Sequence, residues 1–528
     1  MPTPMMATAV LMAALAGAGT EKAPARLFEG RADPTPQGSI DKAVFGRLKT
    51  LGIQPAKVCT DQVFVRRAYL DVIGTLPTPQ EARLFLTDKG RGKRRALIDR
   101  LLERKEFADY WAMKWGDLLR VKAEFPINLW PNAAQAYSLW IRTRLKENLP
   151  YDRFVRELIT ASGSNFRVPP VNFYRALQTK EPQAIGQAVA LAFMGVRAEK
   201  WSADRSRGLA GFFSHIGYKG TAEWKEEIVF FDSVKAAEDA AAGKFGAAVF
   251  PDGTSGRLSP EKDPREVFAD WLIAPTNRWF ARNIVNRIWY WLLGRGVIHE
   301  PDDIRPDNPA RNPELLACLE KELIAARYDL KHVYRLILNS HAYQQSSIPR
   351  TDHPDGEALF AFYPIRRLDA EVLIDALCQI TGTTEEYSSL IPEPFTFMPA
   401  DQRSIALPDG SITSPFLEIF GRPPRDTGLV SERNNNPTAA QRLHLLNSSH
   451  IRQKIERSPR LRPLATRAKK DPRNAATTLY LTILSRFPTQ EELGIVKAYA
   501  ESGEAKGPAA LFDLTWALIN SAEFLYRH

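Results

Sequence analysis

Three cysteines, Cys59, Cys318 and Cys378, serve a chain of 528 residues. An odd number spaced this widely cannot form a disulfide framework, although one pair could bridge in an oxidising compartment. No Cys-x-x-Cys occurs and the eight histidines are scattered, so no metal is expected. Phosphate loop, dinucleotide fingerprint and nucleophile elbow are all missing. No apolar run is long enough to cross a bilayer, so no membrane span is expected.

Charge of one sign is also short over most of the chain. The net +10 comes from two stretches. His450 to Asn474 carries nine Lys/Arg against Glu456 and Asp471, and Asp88 to Glu106 carries eight against four acids. Neither has aromatics spaced for base stacking, which argues against a nucleic-acid partner. Each is a solvated helix face or a dock for an acidic polymer such as a sulfated or uronic glycan.

The chain opens with an apolar run, Ala7 to Leu15, ending in Ala16-Gly17-Ala18. This reads as a secretory leader over 1–18, although its start lacks Lys and Arg. The expected location is therefore periplasmic or secreted. Pro- and Ala-rich residues 19–38 read as a tether.

From residue 39 the pattern is helical. Thr78-Pro79 with Glu81 makes a capping box at a helix start, and Thr489 with Glu492 repeats it. Each copy later reaches a Glu-Phe pair, Glu106-Phe107 and Glu523-Phe524. Leu338-Asn339-Ser340 echoes Ile519-Asn520-Ser521 with smaller scope. These are related helical units or shared capping chemistry. Ile228 to Phe231 and Gly246 to Phe250 read as short strands around a loose run, Lys235 to Lys244. The Gly/Pro/Ser-rich segment Pro251 to Pro264 reads as a boundary.

The second half centres on Asn277 to Tyr343. Phe280, Ile284, Ile288 and Trp291 recur at helical spacing, and Asn283, Asn286, Arg287 and Tyr290 share another side. Gly294 stops this helix. A buried guanidinium needs an anion, so Arg287 is expected to pair with Asp302 or Asp303. Asn312 and Asp329 cap the next two helices. Arg366, Arg367 and Asp369 are read as starting another. The long irregular stretch from Ile391 to Arg433 holds Arg422, Arg425, Asp426 and Glu432. Arginine forks and amides suit carboxylate, sulfate and hydroxyl groups, but they also pin irregular loops. The binding candidates are Asn286, Arg287, Arg366, Arg422 and Arg433. If Asp303, Asp369 and Glu432 met, acid–base work would be possible.

Several strings together resemble a known pair of families. Phe64 to Asp71 with Gly74 and Pro77-Thr78, Tyr151-Asp152 with Phe154, and Ala192 to Val196 are similar to the PSCyt-type (planctomycete cytochrome-like) domain of secreted bacterial proteins. Asp263-Pro264-Arg265, Asn286 to Trp289, Asp329 to His332, Arg366 to Glu371, Phe420 to Pro423 and Ser431-Glu432-Arg433 resemble the PSD-type (planctomycete-specific) domain that follows it. The resemblance implies little biochemistry beyond a c-type haem motif, Cys-x-x-Cys-His, after the segment matching Phe193 to Val196. Here Val196 runs into Arg197-Ala198-Glu199-Lys200-Trp201. Without two thiols and an axial histidine, covalent haem at this place is excluded, and no cofactor is expected.

The expected fold is mainly α, with two helical domains (39–216 and 263–528) and a small β-hairpin-like insertion over 217–262. The expected function is that of a haem-free binding or scaffold protein for an acidic polysaccharide or a co-secreted partner enzyme. The alternative is a carbohydrate-active enzyme using Asp303, Asp369 and Glu432.

Overall fold

The computed structural model describes residues 27–245, 248–503, 505 and 508–528. The expected leader lies outside them. The described residues are mainly α-helical, with only short strands. Buried apolar side chains from Ile40 to Phe524 form one core. The aromatic stripe read from the sequence explains why the two halves share it. Trp291 packs on Trp111 and Trp115 with ring centroids 5.4 and 5.9 Å apart, and Phe280 stacks on Tyr151 at 4.7 Å. Stacked and tilted aromatic pairs of this kind bury large areas at fixed geometry.

The helix Asp61–Ile73 is almost wholly buried and locks the halves together through two arginines. Arg66 donates to the carbonyls of Ile483 and Phe524, both at 2.7 Å. Arg67 donates to Tyr343, Gln345 and His528. The tether expected over 19–38 is anchored where it is described. Gly30 donates to the Val58 carbonyl at 2.7 Å, and the Phe28 ring packs edge-on against His528.

The repeat has a geometric counterpart. Both capping boxes form, at Thr78/Glu81 and Thr489/Glu492. In each copy an arginine then clamps the box glutamate to the glutamate of the later Glu-Phe pair. Arg104 holds Glu81 and Glu106 at 2.8 and 2.7 Å, and Arg486 holds Glu492 and Glu523 at 2.6 Å each. Asn339 and Asn520 make the same turn-closing bond, to Arg335 and Trp516 carbonyls four residues back.

The strands differ from expectation. β1 (Gly163–Ser164), β2 (Ile216–Gly220) and β3 (Glu227–Phe231) form an antiparallel sheet with β3 in the middle. One of its partners, β1, thus comes from within the expected first helical domain, outside the expected insertion. Val249 makes only an isolated bridge to Ser255, and 246–247 lie outside the described residues. The run expected to be loose is largely the helix Ser233–Ala241, because Asp232 caps it through the Lys235 amide.

One further pair positions the site. β4 (Arg366–Arg367) pairs antiparallel with β5 (Tyr526–Arg527). Arg366 and Arg367 are therefore extended and do not start a helix. The helix begins at Ala370 with Asp369 in the capping position. No helix among the described residues is long and apolar enough to cross a membrane.

Candidate functional site: a cationic cleft between the halves

The helix Phe280–Leu293 forms as its apolar spacing predicts and ends at Gly294 in the left-handed region, φ +78°. Its buried polar side chains hold neighbouring backbone. Asn286 exchanges two hydrogen bonds with Ile298, both 2.9 Å, and fixes the loop after the helix. Asn283 donates to the Ala192 carbonyl at 2.9 Å. Arg287 meets Asp302 at 2.9 Å, as an ion contact without good hydrogen-bond alignment. The other carboxylate oxygen of Asp302 accepts from the Val430 amide at 2.6 Å. Of the two acids offered by the sequence, Asp302 is the partner, and Asp303 pairs with Arg305 at 3.1 Å.

Above this pair lies a cleft of about 600 Å³, within the ~300–1,000 Å³ range of small-molecule sites. Its charged lining is Lys114, Arg287, Arg366, Arg367, Arg433 and Arg527 against Asp117, Glu300 and Asp369. Six cations therefore face three carboxylates at the wall itself, while Asp71, Asp302 and Glu371 behind it pair with Arg366 and Arg527, with Arg287 and with Arg433. Tyr290, Trp291, Ile365 and Tyr526 add apolar wall, while Ser431 and Asn434 to Asn436 form a polar rim.

Asp369 is the hub of the floor. It accepts from Lys114 at 3.0 Å, Arg527 at 3.1 Å, Tyr110 at 3.2 Å and Asn435 at 2.8 Å. Burial alone would raise its carboxyl, but Lys114, Arg527 and Arg433 outweigh that and hold it well below the usual range. Lys114 is pushed down to about 8 by burial and by Arg433. Arg433 forks onto Glu371 at 2.7 and 3.0 Å and onto Asp117 at 2.7 Å. Asp117 also takes Arg425 at 2.9 Å. Arg366 closes the C-terminus of the central helix, donating to the Trp291 and Leu292 carbonyls. Arg367 donates to the carbonyls of Phe420, Asn434 and Asn435 and has no carboxylate hydrogen-bond partner among the described residues.

The structure therefore brings Arg287, Arg366, Asp369 and Arg433 to one cleft. Asn286 lies behind it as a loop anchor. Arg422 is buried on the Asp409 and Ile412 carbonyls, so its role is to pin the irregular stretch. Glu432 accepts from the Asp426 and Thr427 amides and does not line the cleft. Asp303 does not line it either. The three carboxylates named for acid–base work are thus not gathered there, and Asp369 is already engaged by four donors.

Sequence reasoning missed Lys114, Asp117, Tyr526 and Arg527. The signal for the first two was present: they are the only charges in the otherwise apolar run Ala112 to Leu118. The basic stretches, by contrast, are partly consumed internally. Lys93 and Arg94 pair with Asp61, and Lys454 with Glu385. All three cysteines are free, and no group of three or more His, Cys, Asp and Glu among the described residues is arranged to hold a metal ion.

Residues 39–202 match the family model PSCyt2, described as a protein of unknown function (DUF1549). Residues 264–500 match PSD1, likewise described as a protein of unknown function (DUF1553). No curated protein and no solved structure matches the chain. Lys114 and Asp117 come from the first matched segment, Arg287, Asp369 and Arg433 from the second, and Arg527 from beyond both. The chain is a PSCyt2–PSD1 protein whose cationic cleft is assembled from both matched segments together with Tyr526 and Arg527 beyond them.

Proposed function

We propose that this protein is a haem-free binding protein whose cleft takes an anionic sugar unit of an acidic glycan. The observation that carries the reading is the excess of cations over carboxylates in the lining of one cleft. Guanidinium groups matched to carboxylate or sulfate, with tyrosine and amide donors for hydroxyls, suit a uronic or sulfated sugar. Binding is favoured over turnover because only one of the three candidate carboxylates lies in the cleft, and it is saturated with donors. The leader-like start supports a secreted or periplasmic location, and the missing Cys-x-x-Cys-His supports the absence of covalent haem. A co-secreted enzyme acting on the same glycan is the protein partner this reading implies.

The test is calorimetric titration with a chondroitin sulfate tetrasaccharide and with trigalacturonate, at low and at physiological salt. Saturable binding to one of them that weakens with salt is expected. Ser431→Asp places a negative charge on the exposed rim and should weaken it about tenfold. Absence of binding to either sugar, or affinity indifferent to both salt and Ser431→Asp, would overturn the reading.

A further inference from the structure

Several exposed rings stand on three loops that contact one another, with Phe125, 85% exposed, on the Trp130 loop. Trp224 is 70% exposed, Phe397 63% and Phe395 46%. The Phe395 ring stands 5.2 Å from that of Trp130 at 60°. The ammonium of Lys225 joins the set, 5.5 Å from the Trp130 ring centre and 5.4 Å from that of Trp224. Three separate segments supply these residues, and hydrogen bonds tie them to their neighbours. Glu124 accepts from the Ser389 hydroxyl and the Leu390 amide, both at 2.9 Å, and so ties the Phe395 loop to the Trp130 loop. Asn165 donates to the Lys225 carbonyl at 3.2 Å. Trp130 and Lys225 both sit at positive φ, +72° and +63°. Side chains other than glycine occupy that region at a cost, most often where function requires it.

We infer that Trp130, Trp224 and Phe395 form a stacking surface for the pyranose rings of a polysaccharide whose acidic unit occupies the cleft. This rests on the glycan reading of the cleft. A sugar ring offers an apolar face edged with hydroxyls, and that pattern matches isolated aromatic faces surrounded by polar groups. Charge nearby is balanced, since Arg167 and Lys225 stand against Glu223 and Glu226, with Arg167 3.6 Å from each. A nucleic-acid strand would need a positive groove instead. Proximity to the cleft supports one ligand across both. Leu118 lines the cleft, and Trp130 donates its amide to the carbonyl of Ala123, five residues on. The two lie within roughly 25 Å at full extension, a span that a glycan chain of several units covers.

The test is affinity electrophoresis of the full chain through gels containing chondroitin sulfate, polygalacturonate or uncharged xylan, beside tetrasaccharide calorimetry. Trp224→Ala combined with Phe395→Ala should reduce polymer affinity at least about tenfold while leaving tetrasaccharide binding unchanged. Ser431→Asp should weaken both for the acidic sugars. Wild-type retardation by xylan that the ring variant loses, without tetrasaccharide binding, would support the stacking surface and overturn the cleft reading alone. Ring variants that migrate like wild type in every gel would overturn the stacking surface. So would a wild type that no polymer retards, or a ring variant whose only change is a shift from dimer to monomer in sedimentation.

Discussion

Arg287 meets Asp302 at 2.9 Å with side chains 1% and 0% exposed, so the central helix carries its charge inside the core with one carboxylate to answer it. Two guanidinium nitrogens, Nε and Nη1, have no hydrogen-bond acceptor. The pair is therefore dependent on Asp302. Asp302→Ala should destabilise the protein by about 3–5 kcal/mol in urea unfolding, because it strands a buried cation. Arg287→Met with Asp302→Leu should lose less than either single change. A double variant at least as unstable as the sum of the singles would contradict this.

The two clamps of the repeat differ in burial, and their energetics should differ accordingly. Arg486 is 4% exposed and Arg104 is 29% exposed. Arg486→Met should cost about 3 kcal/mol or more, and Arg104→Met about 1 kcal/mol or less. Equal losses in chemical denaturation would show that the shared geometry, rather than burial, sets the strength.

His528 is pushed down to about 4, chiefly by burial, with Arg66 and Arg67 adding to it against Glu523. Its folded value lies below its unfolded value near 6.5, so the unfolded chain binds a proton first as pH falls. Stability should therefore drop between about pH 6.5 and pH 4, with about 2 kcal/mol lost by pH 5 from this group. His528→Asn should narrow the difference between unfolding at pH 7.5 and pH 5. An unchanged difference would remove His528 as the source. Asp369 acts lower on the scale. Its contribution is complete above the unfolded carboxyl value near 4 and is lost as pH falls toward its depressed folded value.

Gly294 ties backbone shape to the cleft. It lies at φ +78°, and a Cβ there would sit 2.1 Å from Cδ of Arg366. Gly294→Ala must displace the Arg366 side chain as well as strain the turn. Stability should fall by about 1–2 kcal/mol, and tetrasaccharide affinity should fall beyond what partial unfolding explains. Calorimetry at a temperature where the variant is fully folded separates the two effects.

What was legible in the sequence was local. Helical spacing from Phe280 to Trp291 located the buried Arg287, and the capping boxes at Thr78 and Thr489 are where their spacing puts them. Arg366 and Arg433 were singled out as charges that could line a pocket or pin a loop, and Asp369 as a candidate acid or base. Their partners were not recoverable, because they depend on contacts between distant segments. Asp117 reaches Arg433 across 316 positions, and Tyr110 reaches Arg527 across 417. The strand at Arg366–Arg367 was read as helix because two residues carry no periodicity, and only the pairing with Tyr526–Arg527 makes them extended.

That pairing of β4 with β5 has a bearing on how the protein can be dissected. Arg527 reaches Asp369 and Asp71 from a strand that neither family segment contains, while Lys114 arrives from the other half. Cutting the molecule at its family borders would yield pieces with exposed aromatic faces and no anion site. On the proposed reading, binding therefore requires the whole chain, because neither family segment alone carries the complete cleft.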